Sequence, residues 1–371
     1  MNSRERVLCA LGHDDPDRVP LDLGGVVSSF TDTAYKNMVE YLGIKNPTAP
    51  LGGYNLRIDI DEEILRYLQI DTRHVYTNPL EGWETTYFED GSFDSEIGIH
   101  YKIVGDYSEM VYQPFADIDI DELRDITFPD MKHPSRYKGM KEKCERIKED
   151  GYAVISGSLA SVFELSMYTR GMGNFLMDLI ADKDFANLLM DRIVDMQLDY
   201  YKGLLDEVGN SFDVVCMADD LGTQTAPMLS LPLFREMIKP KLEKIYKYIR
   251  SRTDAYIFHH TCGASYDFIG DLIDIGMDIL NPVQPSAAGM DMEKIKKNFG
   301  DRISFWGGMD IQRVLPHGSP GEIRSAVHRA VDVLGDNGGL VLAPAHNVQG
   351  DVPPGNIEIM CREAVSHSRK R

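Results

Sequence analysis

Short apolar segments alternate with longer amphipathic segments from about residue 135 to the end of the chain, and this alternation restricts the fold more than any other feature. Continuous apolar strands between helices are typical of a parallel sheet that helices cover on both faces. The candidate strands lie at residues 153–157, 213–217, 255–259, 277–280, 303–306 and 339–342. The amphipathic segments, which we predict as helices, lie at residues 175–180, 185–206, 231–250, 266–275, 290–299 and 320–334.

Two further candidate strands, at residues 73–76 and 19–23, bring the number of strands near eight. We therefore predict that the sheet closes into a (β/α)8 TIM barrel. The alternative is an open, doubly wound sheet, but no glycine-rich dinucleotide fingerprint follows any candidate strand. We predict one domain over residues 1–371, with its main β/α repeats at 135–371.

Two segments differ in character from the repeats. The first 70 residues are predicted to form an N-terminal helical cap, with helices at 4–11 and 33–42. Residues from about 82 to 115 contain alternating apolar and polar positions and the dipeptide Asp90-Gly91, a typical hairpin turn. We interpret residues 82–115 as an inserted antiparallel β-hairpin region that packs on the main body.

The charge balance excludes some classes of partner. Lys and Arg total 39 against 59 Asp and Glu, a formal charge of −20, which opposes nucleic acid or an anionic membrane as the main partner. We expect no membrane span, because 18 consecutive apolar residues occur nowhere. The charged start does not resemble a signal peptide, and five scattered cysteines fit a reducing compartment, so we expect a cytoplasmic protein.

Polar side chains follow the candidate strands where these end, and in a β/α barrel such ends meet at the face that carries active sites. The most informative stretch is His260-Thr261-Cys262-Gly263. An imidazole and a thiolate two residues apart can bind one zinc ion from the same side. The alternative is a buried cysteine beside a hydrogen-bonded histidine. Further candidates at strand ends are Glu164, Asp219, Asp220, His259, Gln284, Asp310, His346 and Asn347.

Each of these residues also has a structural interpretation. Asp219 or Asp220 could cap the next helix, and Asn281 before Pro282 could form a common turn. Glu164 could lie on a solvated helix face, and Gly307-Gly308 could only allow close approach of a ligand or a neighbouring backbone. The coincidence of such residues at six turns nevertheless indicates an enzyme active site.

Several motifs together support a resemblance to a known family. They are Asp17-Arg18-Val19-Pro20-Leu21-Asp22, Ile70-Asp71-Thr72-Arg73, Phe163-Glu164 with Tyr168-Thr169-Arg170-Gly171, Asp219-Asp220-Leu221-Gly222, His260-x-Cys262-Gly263, Trp306-Gly307-Gly308-Met309-Asp310, and Gly338-Gly339 through Asn347. As a set they resemble the uroporphyrinogen decarboxylase superfamily, and most closely its corrinoid-linked branch, which includes methylcobalamin:coenzyme M methyltransferases.

Two departures from the family pattern refine this resemblance. True decarboxylases resemble one another in an arginine-rich segment after the early Arg-x-Pro, but no arginine occurs in residues 21–27 here. Zinc-dependent methyltransferases of the branch have a second cysteine near the chain end, where this chain has His346. Cys361 lies too far along the chain to replace that ligand. The resemblance therefore implies zinc bound by His260, Cys262 and His346.

The function implied by the resemblance is a cobalamin-dependent methyl transfer. The methyl group would move between methylcobalamin or another corrinoid, borne by a partner corrinoid protein, and a small acceptor such as a thiol or tetrahydrofolate. Glu164 would be a ligand or proton carrier, and Asp219 and Asp310 would orient the histidines or, with a pterin acceptor, Asp219 would bind its ring. The expected substrate-binding residues are Asp220, His259, Gln284 and Asn347.

Two alternatives remain at this point: a decarboxylase acting on a tetrapyrrole, and a non-catalytic corrinoid-binding module. The sequence does not choose between a thiol and a pterin acceptor. It also leaves the oligomeric state open, a homodimer included.

Overall fold

The computed structural model describes residues 1–368 except 26, 49–55, 58, 106 and 159. Its strands are β1 (Phe30–Thr31), β2 (Leu56–Arg57), β3 (Thr72–Val75), β4 (Thr86–Tyr87), β5 (Phe93–Asp94), β6 (His100–Val104), β7 (Tyr107–Tyr112), β8 (Ala153–Ser156), β9 (Val214–Ala218), β10 (Tyr256–His260), β11 (Ile279–Val283), β12 (Ser304–Met309) and β13 (Leu340–Pro344).

The helices follow the pattern that the amphipathic segments predict. They are α1 (Ser3–Leu11), α2 (Asp32–Leu42), α3 (Glu62–Tyr67), α4 (Ile120–Asp125), α5 (Met140–Glu149), α6 (Val162–Arg170), α7 (Met172–Ala181), α8 (Lys183–Val208), α9 (Leu231–Leu233), α10 (Lys239–Arg250), α11 (Ile269–Ile275), α12 (Met292–Phe299), α13 (Val314–His317), α14 (Pro320–Leu334) and α15 (Pro354–Ser368). A π-helical segment, Phe234–Ile238, connects α9 to α10.

Seven parallel strands form the central sheet in the order β13-β12-β11-β10-β9-β8-β3. The extended segment around Leu21 closes this sheet, because it contacts both outer strands. Leu21 forms a parallel bridge with Leu342 of β13, and its carbonyl oxygen accepts a hydrogen bond of 2.9 Å from the backbone N–H of Asp71, just before β3. The predicted TIM barrel is confirmed, with the candidate strand at 19–23 reduced to a single bridge.

The predicted strands differ from the observed ones mainly at their carboxyl ends. The six candidate strands from residue 153 onward cover only the apolar runs. Five of the observed strands extend into the residues that follow these runs. His260, for example, pairs with Ala218 of β9 and Asn281 of β11 in the register of the sheet. The last paired residues of these strands therefore include polar side chains, which lie at the carboxyl-terminal end of the barrel.

The interior of the barrel is a separate apolar cluster. It contains alternate strand residues such as Ile155, Phe258 and Trp306, together with Val7 and Leu11 of α1. Because successive strand side chains point to opposite faces, the residues between them pack outward against the helices. Helix α1 lies across the amino-terminal ends of the strands, where the carbonyl oxygen of Leu11 accepts a hydrogen bond from Ser304 Oγ.

The predicted N-terminal cap contains helices α1 to α3 together with the short strands β1 and β2. Helices α1 and α2 begin one residue before the predicted segments, because Asn2 and Thr31 cap their first turns. Strands β4–β7 form a separate antiparallel sheet in sequential order within the predicted insertion at 82–115. Among the described residues, no helix combines the length and the apolar character that a bilayer crossing requires.

Candidate metal centre and active site

A cavity of about 400 Å³ lies at the carboxyl-terminal end of the barrel strands. Its walls come from the segments at the carboxyl ends of β8, β9, β10 and β13, from helix α6, from the inserted β6–β7 hairpin and from the N-terminal region. The lining residues are Val27, Thr31, Leu56, Tyr101, Tyr107, Ser108, Met110, Ser158, Ala160, Glu164, Tyr168, Ala218, Asp220, His260, His346, Asn347 and Gln349.

The three predicted metal ligands converge beside this cavity. His260 is the last residue of β10, Cys262 follows two residues later, and His346 lies two residues after β13. One donor atom from each of the three side chains lies within 4.8 Å of the other two. His260 Nε2 and Cys262 Sγ are 3.1 Å apart. Residues distant in the sequence therefore form one cluster of nitrogen and sulfur donors.

The orientation of His260 follows from its neighbour Asn281. The Asn281 side-chain NH2 donates to the carbonyl oxygen of Trp306 at 3.4 Å, which turns its Oδ1 toward His260. His260 Nδ1 lies 2.6 Å from this Oδ1. Because an amide oxygen can only accept a hydrogen bond, His260 Nδ1 carries the proton. The lone pair of Nε2 is then directed at Cys262 and His346, as a metal ligand requires.

The loop that carries Cys262 is held by polar contacts and by a close crossing of two backbones. Asp220 Oδ1 accepts a hydrogen bond of 2.7 Å from the Cys262 backbone N–H, and Gln284 Oε1 accepts one of 2.9 Å from Gly263. Gly263 has φ +77°, and a Cβ there would lie 2.5 Å from the carbonyl oxygen of Gly222. This crossing requires glycine at position 263.

Burial determines the protonation of the donor side chains. Burial, followed by the neighbouring charge of His260, lowers the pKa of His346 to about 4, so its imidazole is neutral at physiological pH. Burial, followed by the charges of Asp220 and Glu164, raises the pKa of the Cys262 thiol well above its usual range. Cys262 therefore keeps its proton unless a cation replaces it.

Glu164 is a buried carboxyl group in the cavity wall rather than part of a solvated helix face. Glu164 is only 8% exposed, and Tyr168 Oη donates a hydrogen bond to Glu164 Oε1. Burial, followed by the charges of Asp220 and Asp219, raises the pKa of Glu164 well above its usual range. Glu164 can thus hold a proton inside the cavity.

Asp219 has a structural position that differs from the predicted one. Its carboxylate accepts hydrogen bonds of 3.1 Å and 2.7 Å from the backbone N–H groups of Phe163 and Glu164, at the start of α6. Burial is the main reason that its pKa is raised to about 7. The prediction that Asp219 orients a histidine is therefore corrected: it caps α6, which precedes it in the chain, and Asn281 holds His260.

Asp310 and His259 also lie away from the described lining of the cavity. Asp310 Oδ1 accepts hydrogen bonds of 2.7 Å and 3.2 Å from the N–H groups of Gln312 and Arg313, and so stabilises the turn after β12. His259 precedes His260 on β10 and points to the opposite face, where its Nδ1 lies 2.7 Å from Tyr246 Oη. Neither residue is among the described residues that line the cavity, and the catalytic role of Asp310 and the substrate contact of His259 stay predictions.

Of the other predicted substrate-binding residues, Asp220 and Asn347 line the cavity, whereas Gln284 stabilises the Cys262 loop. Asn347 Oδ1 accepts a hydrogen bond of 2.8 Å from the Ser29 backbone N–H. Sequence reasoning missed Asn281 and Tyr168 as parts of the site. The position of Asn281 at a strand end beside His260 was an available signal, but the Asn-Pro dipeptide favoured a turn.

The donor set fits a zinc ion. Zinc bonds of about 2.0 to 2.3 Å in a tetrahedral arrangement place the ligand atoms roughly 3.3 to 3.8 Å apart. The donors of His260, Cys262 and His346, all within 4.8 Å of one another, need only small side-chain movements to reach that spacing. Three protein ligands leave the fourth coordination position for water or substrate, which is the arrangement of catalytic zinc sites.

Comparisons with known proteins identify the family and the fold. The profile of the family described as Uroporphyrinogen decarboxylase (URO-D) matches residues 96–367. No curated protein matches the chain. Among solved structures, a methyltransferase from Methanosarcina mazei superposes with a TM-score of 0.67 and 16% identity over 98% of this chain and 98% of that chain. A 3-keto-D-glucoside 4-epimerase from E. coli gives a TM-score of 0.40 and 13% identity over 68% of this chain and 92% of that chain. The similarity to the methyltransferase shows a shared fold along nearly the whole chain.

Proposed function

The chain belongs to the uroporphyrinogen decarboxylase (URO-D) family, and on that premise we propose that it is a methyltransferase, which moves a methyl group between a corrinoid and a small acceptor. The observation that carries this proposal is the convergence of His260, Cys262 and His346 within 4.8 Å beside an open cavity. The methyltransferase from Methanosarcina mazei, which has the same fold, supports the choice of methyl transfer within the family.

The proposal assigns the three converging side chains to zinc. Zinc, when bound, would act as a Lewis acid that favours the thiolate form of an acceptor thiol. Asn281 holds His260 in the required tautomer, and Asp220 holds the Cys262 loop through the backbone N–H. Burial makes the ionised carboxylate of Glu164 a stronger base, and in this form it accepts the proton of the acceptor thiol.

The proposed transfer is a direct displacement. The acceptor sulfur forms a bond to the methyl carbon while the carbon–cobalt bond breaks, and the electron pair of that bond remains on cobalt. The thiol proton passes to the carboxylate of Glu164. Sulfur, carbon and cobalt must lie in line, and positioning of this kind contributes up to roughly 7–11 kcal/mol in the best intramolecular systems.

A pterin acceptor would use other groups of the same cavity. Carboxylates would bind its ring nitrogens, and zinc would be less necessary. Because Asp219 is engaged at the start of α6, Asp220 and Glu164 are the carboxyl groups that line the cavity and can contact such a ring. The two acceptor classes therefore predict different dependence on the metal.

We also propose that the corrinoid arrives on a partner protein. Cavities of roughly 300–1,000 Å³ suit drug-sized molecules, and a corrinoid is larger than these, so a cavity of about 400 Å³ suits the acceptor alone. Exposed apolar side chains of the inserted region and of α7 are the contacts that we propose for this partner. They include Tyr87, Phe88, Val104, Tyr107, Val111, Tyr112, Met172, Met177 and Ile180.

The decarboxylase alternative has less support from the site. A tetrapyrrole with many carboxylates needs cationic partners, but the described lining of the cavity contains neither Lys nor Arg. Asp220 and Glu164 would instead repel such a substrate. A direct assay of methyl transfer distinguishes the third alternative, a non-catalytic corrinoid-binding module, from an enzyme.

The test measures bound metal and methyl transfer on the same protein. Elemental analysis should find about one zinc per chain, and methylcobalamin absorbance should change when coenzyme M, homocysteine or tetrahydrofolate is the acceptor. Cys262→Ala and His346→Ala should lose zinc and slow transfer to a thiol at least about a hundredfold. Cys9→Ala and His317→Ala remove the same residue types elsewhere, in α1 and α13, and should change neither quantity.

Three outcomes would contradict parts of this proposal. Unchanged metal content in both Cys262→Ala and His346→Ala would remove the ligand set. Loss of carboxyl groups from uroporphyrinogen, followed by chromatography, would establish a decarboxylase. Binding of a corrinoid protein without methyl transfer, even with zinc restored, would favour the non-catalytic module.

A further inference from the structure

The described lining of the cavity contains carboxyl groups but neither Lys nor Arg. Among the described lining residues, the only carboxylates are Glu164 and Asp220, and no Lys or Arg is present. Neither carboxylate forms an ion pair with Lys or Arg anywhere in the described part of the chain; their polar contacts are Tyr168 for Glu164, and His260 with the Cys262 N–H for Asp220. An anion that enters this cavity finds no charged side chain to neutralise it.

A metal ion at the His260, Cys262 and His346 cluster would offset only part of this negative charge. Two neutral imidazoles and one thiolate leave bound zinc with a net charge of about +1. Asp220 Oδ1 lies 3.6 Å from His260 Nε2, so it is the carboxylate nearest the metal position. Glu164, on α6, is then left without a cationic partner among the described residues of the cavity wall, and its carboxyl group keeps a proton until a cation binds beside it.

Three tyrosine rings and a hydroxyl group without a partner among the described residues also line the cavity. Tyr101 and Tyr107 come from the inserted hairpin, and Tyr168 comes from α6. Ser108 Oγ, also on the hairpin, is buried and has no hydrogen-bond partner among the described residues. Carboxylates combined with aromatic rings are the typical surroundings of organic ammonium ions, which the faces of the rings attract.

From this lining we propose that the small molecule bound in the cavity is an organic cation, with its ammonium group between Glu164 and the tyrosines of the inserted hairpin. The proposal rests on the proposed function, for which it names the class of acceptor: a thiol that also carries an ammonium group. It also assigns the inserted hairpin a role in specificity, because Tyr101, Tyr107 and Ser108 form the wall opposite the barrel strands.

Binding measurements on the zinc-loaded protein test the charge preference without any methyl transfer. The probes are choline, its uncharged analogue 3,3-dimethyl-1-butanol, and the anion 2-hydroxyethanesulfonate, compared by isothermal titration calorimetry. Choline should bind about tenfold more tightly than the uncharged analogue, and the sulfonate should not bind measurably. Equal binding of choline and its analogue, or tightest binding of the sulfonate, would overturn the proposal with the unaltered protein alone.

Variants locate the binding site. Glu164→Gln should remove most of the tenfold preference for choline, and Tyr107→Leu should weaken choline binding about fivefold without affecting the uncharged analogue. Glu89→Gln removes an exposed charge from the inserted region, and Tyr41→Leu removes an exposed ring from α2; both should bind choline as the unaltered protein does. A preference that survives in Glu164→Gln would exclude Glu164 as the anionic partner.

A series of thiol acceptors separates this inference from the proposed function. Methyl transfer from methylcobalamin is measured with 2-aminoethanethiol, 2-mercaptoethanol and 2-mercaptoethanesulfonate, which differ mainly in charge. The fastest transfer to 2-aminoethanethiol supports both proposals, whereas the fastest transfer to the sulfonate contradicts only the charge preference. Tighter binding of choline in the absence of any methyl transfer supports the charge preference and contradicts the methyltransferase.

Discussion

At the scale of single residues, the orientation of the proposed metal ligands depends on neighbouring polar groups. Asn281 Oδ1 accepts a hydrogen bond of 2.6 Å from the Nδ1–H of His260, and the Asn281 NH2 group donates a hydrogen bond to the Trp306 carbonyl oxygen. Partners of this kind hold both the tautomer and the direction of an imidazole. Asp219, by contrast, contributes to the site only by positioning the start of α6 and thereby Glu164.

Removal of the Asn281 amide should weaken zinc binding. Asn281→Leu leaves His260 Nδ1 without its acceptor, and we expect a 10- to 100-fold loss of zinc affinity. Asn281→Asp keeps an acceptor and should bind zinc nearly as the unaltered protein does. Competition with a chromophoric chelator measures both, and Asn298→Leu, at an exposed amide of α12, is the control. Equal affinity of Asn281→Leu and the control would contradict this role.

Zinc affinity should rise with pH in a way that identifies Cys262. The pKa of its thiol lies well above the usual range, so the thiol is protonated between about pH 6 and 8, and zinc binding releases one proton. His346, with its pKa near 4, is already neutral and releases none. The association constant should therefore increase about tenfold per pH unit. Chelator competition at several pH values measures the slope, and a zinc affinity that does not change with pH would contradict the release of a proton from Cys262.

At the scale of secondary-structure elements, a crossing between two loops positions Cys262. The loops after β9 and β10 cross where Gly222 and Gly263 lie in contact, and a Cβ at Gly263 would approach the carbonyl oxygen of Thr223 to 2.4 Å. The inserted hairpin β6–β7 also contributes to the site, because it forms one side of the cavity. Neither loop contact is visible in the hydrophobic periodicity, which describes each element separately.

Substitution of Gly263 should disturb both stability and metal content. Gly263→Ala forces a Cβ into a position with φ +77° and a backbone clash, and we expect a loss of about 1–3 kcal/mol in the free energy of unfolding together with reduced zinc content. Gly270→Ala, on α11 with open space around it, should be neutral or slightly stabilising. Urea denaturation and elemental analysis measure the two effects. A Gly263→Ala protein with full zinc content would show that the crossing does not position Cys262.

At the scale of the whole molecule, a buried ionic cluster closes the barrel. Asp71, fully buried before β3, accepts hydrogen bonds of 2.7 Å from Arg6 and from Arg18, and one of 2.9 Å from the Leu21 backbone N–H. These contacts connect α1 and the closing segment to the sheet. Two of the sequence motifs that supported the family resemblance thus meet at this cluster, away from the cavity.

Loss of the Asp71 carboxylate should destabilise the whole protein. Asp71→Ala leaves the buried guanidinium of Arg18 without a carboxylate partner and leaves Arg6 with Asp17 alone. Loss of one partner of a buried ion pair typically costs about 3–5 kcal/mol. Asp90→Ala breaks the exposed ion pair with Lys102 and should cost less than about 1 kcal/mol. Urea denaturation gives both values, and a similar cost for the two variants would contradict the role of the buried cluster.

Much of the architecture was predictable from the chain alone. The alternation of buried strands and amphipathic helices predicted the barrel, and α14 lies at the predicted residues 320–334. The Asp90-Gly91 turn marked the inserted sheet. The segment around Leu21 was predicted as a full strand, but its pairing depends on two distant partners, Leu342 and Asp71. Helices α4, α5 and α6 were missed, and capping of α6 by the distant Asp219 has no local signal.

The sequence by itself determined the kind of fold and the kinds of chemical group at its strand ends, because periodicity and residue type are local properties. It placed His260, Cys262 and His346 together only through resemblance to a family. The tertiary structure alone decided which polar side chains share the cavity. Adjacent strand residues such as His259 and His260 point to opposite faces, and each loop turns according to contacts with loops distant in the sequence.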